Sequence, residues 1–157
     1  MNYFSIDMPL PKVLTVESDR VHRFDETIYL LDKKWLVAKG WMSIPINNMD
    51  QDFNFGLWCK FDSQVISRFR RNEETALNAT VGYLMSDVPF YMDGYEVEVA
   101  LEFSADKPNF QEPSIYLREY PKSVKKDQVN GISIMKYNEW MTLIQQKKIS
   151  EILPRNF

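Results

Sequence analysis

A single cysteine, a single histidine and five glycines leave this chain of 157 residues short of the residue types that mark familiar sites. One cysteine, Cys59, excludes an intramolecular disulfide and any zinc site built from several thiolates. The histidine, His22, lies in a polar stretch beside Arg20 and Arg23 with no nucleophile elbow near it. It reads as a surface residue rather than a general base. The glycines form no phosphate-cradling loop, and no metal motif is present. No apolar run approaches the ~20 residues that cross a bilayer. The first residues, with Asp7, Pro9 and Pro11, lack the basic-then-apolar order of a secretory signal, so a cytoplasmic protein is expected. Basic excess is missing too. A net charge of −3 with pI near 5.3 argues against nucleic-acid binding through phosphate neutralisation.

What is there begins with Phe53 to Phe61. Phe53, Phe55, Leu57, Cys59 and Phe61 alternate with Asn54, Gly56, Trp58 and Lys60, the period of a strand with one buried face. Cys59 then reads as a small core residue. Gly56 leaves room for another backbone or a bulky ring to come close. Before it, Glu26 to Leu31 and Lys34 to Ile46 read as strands joined by a tight turn at Asp32-Lys33. In the longer one, Leu36, Ala38, Gly40, Met42, Ile44 and Ile46 share one face, and Trp35, Val37, Lys39, Trp41 and Ser43 the other. Pro45 fits only near the end of such a strand or at a sheet edge. With the polar turn from Asn47 to Asp52, the three segments predict a meander.

The remaining segments are shorter. Residues 1–24 are expected to be an extended lead-in, with one short helix in Val16 to Phe24. Asp62 or Ser63 caps a predicted helix reaching about Glu74, with Val65, Ile66 and Phe69 inward and Arg68, Arg70 and Arg71 outward. Val81 to Leu84 is a short strand, followed by a loop with a turn at Asp93-Gly94. Tyr95 to Ser104 alternates, placing Tyr95, Val97, Val99, Leu101 and Phe103 inward and Glu96, Glu98 and Glu102 outward. Ser114 to Glu119 is a further strand. Ser133 caps a C-terminal helix, Ile134 to Lys148, whose stripe is Ile134, Tyr137, Met141 and Ile144, widened by Trp140 and Leu143. Lys147 and Lys148 fall in its predicted last turn, complementing the dipole. The expected fold is one α+β domain over residues 1–157, with a largely antiparallel sheet of about six strands and two main helices, one of them C-terminal.

Two features are candidates for function. In the meander, Trp35, Trp41 and Trp58 project from the face opposite the core. Either the terminal helix or the lead-in segment covers them, or they form a recognition surface, since Trp is enriched at interface hot spots. The second feature is electrostatic. Residues 86–112 hold seven acidic side chains against one basic, −6, and residues 113–157 hold eight basic against four acidic, +4. Glu96, Glu98 and Glu102 would line one strand face, where they could steer a basic protein partner. As a plain solvated face the strip needs no function. Asp50, Asp52 and Asp62 flank the central strand; they read as caps rather than cation ligands, because their spacing matches no calcium loop.

Several segments together resemble a bacterial family, domain of unknown function 2199. They are Trp35-Leu-Val-Ala-Lys-Gly-Trp-Met-Ser-Ile-Pro-Ile46, Phe55-Gly-Leu-Trp58, Gly82-Tyr-Leu84, Pro113-Ser-Ile-Tyr-Leu117 and Asp127-Gln-Val-Asn-Gly-Ile-Ser133. The resemblance runs from about Asp25 to Ile144 within a family-like core of residues 25–148. Many relatives begin with a paired-cysteine segment, which this sequence lacks, so no zinc is carried over. The family supplies no catalytic residues, and no cofactor or metal is expected. The leading functional expectation is a non-catalytic protein-binding domain, in concrete form an immunity or antitoxin-type protein covering a basic toxin. The alternative is a small-molecule-binding protein or enzyme with a pocket roofed by Trp35, Trp41 and Trp58 and by Tyr83 or Tyr91. A homodimer on the tryptophan face is the third. Neither nucleic acid nor membrane is expected as a partner.

Overall fold

The computed structural model describes residues 5–16, 18–23, 28–70, 80–104 and 112–154. In chain order these form β1 (Ser5–Asp7), α1 (Lys12–Thr15), β2 (Val21–Arg23), β3 (Ile28–Leu31), β4 (Trp35–Pro45), β5 (Asp52–Asp62), α2 (Val65–Arg70), β6 (Thr80–Leu84), β7 (Glu98–Glu102), β8 (Ser114–Leu117), α3 (Lys122–Asn130), α4 (Ile134–Gln145) and α5 (Ile149–Ile152).

β4 and β5 set the architecture. They pair antiparallel along eleven residues, from Trp35↔Asp62 to Pro45↔Asp52. The alternating pattern places Phe53, Phe55, Leu57, Cys59 and Phe61 on the inner face, each fully buried. Leu36, Met42 and Ile44 lie opposite them, also buried. A ribbon this long twists, so its two ends meet different neighbours. At one end β3 and β6 flank it; at the other, β1 and β8. The strand order β1-β5-β6-β7-β8-β4-β3-β2, with the additional β5–β4 pairing, closes β4 to β8 into a five-strand barrel.

The fold is therefore α+β, but it departs from six antiparallel strands and two helices. Eight strands form a mixed sheet, since β1–β5 and β4–β8 are parallel, and five helices are present among the described residues. The lead-in supplies the two extra strands. β1 adds to the β5 edge that β6 leaves open, and residues 21–23, expected to be helical, pair with β3 as β2. α3 escaped the periodicity because Val124 is its only buried residue. The C-terminal helix is also shorter than expected. It ends at Gln145, and Lys147, at φ +56, turns the chain into α5, so Lys147 and Lys148 do not sit in its last turn. Ile134 is exposed rather than part of the stripe. The predicted helix from Asp62 is described from Val65 to Arg70, with the Asp62 carboxylate accepting from Gln64 N–H at 2.9 Å; its continuation to Glu74 lies outside the described residues.

Trp140 of α4 closes one end of the core. Its ring stacks on Phe90 with centroids 4.5 Å apart and meets Phe53 and Phe55 edge-on. Beside it the Asp127 carboxylate accepts from the Tyr91 hydroxyl at 2.7 Å and from Lys136 at 2.6 Å. Burial, then the bond to Asp127, pushes the Tyr91 hydroxyl far above its ordinary range. This network ties the 88–96 loop, α3 and α4 together.

Candidate functional site

The tryptophans share a face as the register requires, yet they are divided among three settings. Trp58 is buried beneath the lead-in segment: its indole N–H donates to the Met8 carbonyl at 3.3 Å, and its ring meets Tyr29 edge-on. Trp41 lies across Gly56, where an added Cβ would stand 3.2 Å from the ring, and the Lys39 ammonium lies 5.5 Å from its centroid. Trp35 takes the ammonium groups of Lys34 and Lys60 at 4.8 and 5.0 Å, with Tyr83 against its edge. Tyr91 is engaged elsewhere, against Trp140.

The acidic strip is broken as well. β7 begins at Glu98, not Tyr95, because the preceding residues are wound into a turn. Tyr95 N–H donates to the Asp87 carboxylate, Glu96 N–H to the Leu84 carbonyl, and Val97 N–H to the Gly94 carbonyl. Glu96 has φ +64, which turns it out of line with Glu98 and Glu102, and Tyr95 faces solvent rather than the core. Glu96 instead lines a cleft of about 320 Å³ with Lys12, Lys60 and Tyr95. Burial, with the Glu96 carboxylate next, raises the Tyr95 hydroxyl above its usual range.

Glu98 and Glu102 stay on the outer face of a three-strand layer. Register places Tyr83 with Glu98 in one row, Val81, Ala100 and Tyr116 in the next, and Glu102 with Ser114 in the third. Val81 and Tyr116 are 37% and 47% exposed, large values for residues at the middle of a sheet. Arg118 Nη1 stands 3.6 Å from Glu98 Oε2, a loose exposed pair of little energetic weight. No described helix packs on this face: α3 contacts β8 from the side, and α4 packs on the Phe53 end.

The face runs into a cleft. β8 and β4 are joined by one register pair, Trp41↔Ser114, with Trp41 N–H donating to the Pro113 carbonyl at 2.9 Å. Beyond that pair α3 takes over the edge of β8. Gln128 accepts from Leu117 N–H and donates to the Ile115 carbonyl, both at 2.9 Å, as a neighbouring strand would. Lys125 donates to the Leu117 carbonyl at 2.7 Å. Where the strands part, a cleft of about 390 Å³ opens between Trp41, Ser43, Asp52, Tyr116, Lys125 and Gln128.

The remaining candidates stand apart from one another. Asp52 and Asp62 stand at opposite ends of β5, so they cannot share a cation, and no group of three metal-ligating side chains occurs among the described residues. His22 is exposed on β2. Cys59 is fully buried, and burial pushes its thiol well above the ordinary range, so it is a core residue and not a nucleophile. No helix among the described residues is long and apolar enough to cross a membrane.

Residues 3–132 match the family described as uncharacterized protein conserved in bacteria (DUF2199). The chain belongs to this family. The matched stretch begins before the resemblance read from the motifs and takes in β1, the outer face, the seam and its cleft; it ends ahead of α4 and α5. No curated protein and no solved structure gives a significant match. Tyr116, Val81 and Gln128 escaped sequence reasoning. The alternation in β8 does mark Tyr116 as outward, but nothing local tells that no described helix lies over the face.

Proposed function

We propose that this family member works by binding another protein, using the outer face of β6, β7 and β8. The supporting observation is that the middle row of this face exposes Val81 and Tyr116 between Glu98 and Glu102, with no described helix over it. Apolar groups at the centre and charges around them are the composition of a recognition patch, and Tyr is among the residues that dominate interface energies. The two glutamates and the −6 balance of residues 86–112 favour a basic partner. A toxin neutralised by its bound antagonist is the concrete form of this reading.

The test is association with the product of an adjacent gene, followed at two salt concentrations. Tyr116→Ala should weaken binding by about 30-fold, chiefly through faster dissociation. Glu98→Lys with Glu102→Lys should slow association and flatten its salt dependence. Absence of binding, or binding indifferent to all three changes, overturns the proposal.

A further inference from the structure

We propose that the cleft between β4 and β8 receives an arginine side chain of the partner, making it the point of the interface that selects arginine. The inference rests on the protein-binding reading above and deepens it. Continuity is the first argument. Ser114 and Tyr116 belong both to the outer face and to the wall of the cleft, so a chain lying on the face can send a side chain into it.

The lining supplies the second argument. Trp41 and Tyr116 both line the cleft, and the exposed Tyr116 ring offers a face to a planar cation, on which a guanidinium stacks better than an ammonium does. The Trp41 indole already has the Lys39 ammonium 5.5 Å from its centroid, with Lys39 held by Asp7 at 2.7 Å. Charge is the third. Asp52 lines the cleft, exposed, and Glu102 lies directly across the ladder from Ser114; neither has an ion-pair partner among the described residues. The one cation in the lining, Lys125, is drawn back to the wall by its bond to the Leu117 carbonyl. Ser43 donates its hydroxyl hydrogen to Asn54 at 2.6 Å, which leaves its oxygen to accept from an incoming N–H. A flat cation with five donors fits acceptors spread over two walls; a point charge uses fewer of them.

Nα-acetyl-arginine amide is the probe, titrated into the ¹⁵N-labelled protein. Saturable shifts are expected at the Trp41 indole N–H and at the Ser43 and Ser114 amides. The lysine analogue should bind more weakly, and the neutral citrulline analogue should leave these signals unmoved. Asp52→Asn, at an exposed position where folding is checked by the rest of the spectrum, should weaken the arginine probe by about fivefold. Shifts matched by citrulline, shifts confined to other surfaces, or no shifts at all overturn the assignment. If that happens while Tyr116→Ala still weakens partner binding as predicted above, the cleft falls and the protein-binding face stands. If the probe binds while partner binding ignores Tyr116, Glu98 and Glu102, the face falls instead.

Discussion

Replacing Gln128 tests whether a side chain of α3 stands in for the strand that β8 lacks. β8 has four register pairs with β7 but one with β4, so its second edge depends on Gln128 and Lys125. Gln128→Ala deletes the acceptor for Leu117 N–H and the donor for the Ile115 carbonyl, each at 2.9 Å. A neutral hydrogen bond contributes about 1 kcal/mol net, and an orphaned buried group costs about 1–3 kcal/mol. Because Gln128 lines the cleft, water can reach the vacated edge, which favours the lower end. The expected loss is about 2–3 kcal/mol for the two groups together. Urea unfolding followed by tryptophan fluorescence measures it. Gln128→Glu sharpens the test: its carboxylate still accepts from Leu117 N–H but sets an anionic oxygen against the Ile115 carbonyl. Its folded pKa is then raised, so its stability is present below an unfolded value of about 4.3 and lost as pH rises through the folded one. At neutral pH Gln128→Glu should be less stable than Gln128→Ala, with the gap narrowing toward pH 4. A change within about 0.5 kcal/mol for Gln128→Ala would mean that packing alone holds the seam, and the strand-mimic argument would be wrong.

Gly40→Ala should cost about 1–3 kcal/mol, because the new Cβ would stand 2.6 Å from the Pro113 carbonyl oxygen and 2.9 Å from the Ile115 side chain; an unchanged melting temperature would show that β8 can shift away. For Cys59 burial raises the folded pKa above the ordinary 9.0, so the folded state holds its proton longer than the unfolded one. Stability is full below pH 9.0 and falls above it by up to about 1.4 kcal/mol per pH unit from this group. Unfolding at pH 8 to 10.5 should therefore show a shallower decline for Cys59→Ala than for the parent, and a thiol reagent should leave the native protein unmodified at pH 8. Rapid native modification would contradict the burial.

The long elements were legible because one rule decides them. Residues 35–45 and 52–62 alternate over most of their length, and a one-residue slip would take Phe53, Phe55 and Phe61 off the core face, so strand, face and register follow together. The turn at Asp32-Lys33 is equally local: both residues take positive φ, 53 and 58, as a tight hairpin demands. Short elements obey partners instead. β1 and β2 have three residues each and exist because β5 and β3 offer them open edges. α3 buries only Val124 and is fixed by what Gln128, Lys125 and Asp127 bond to across space.

The site was legible only as residue types, for the same reason. Alternation correctly sets Glu98 and Glu102 outward, but Glu96 two residues earlier obeys the loop, where Phe90, Met92, Gly94 and Glu96 all take positive φ. Four such residues at alternate positions cannot continue a strand, and no hydropathy pattern reports backbone handedness. Likewise the indoles of Trp35, Trp41 and Trp58 share a face by period, while their separate fates follow from what lies by each one: two lysines at Trp35, Lys39 and Gly56 at Trp41, and the Met8 carbonyl at Trp58. A binding surface is a statement about what remains uncovered. The face of β6, β7 and β8 is proposed for that role because, among the described residues, the lead-in covers Trp58 and α3 takes the edge of β8, and neither lies over this face.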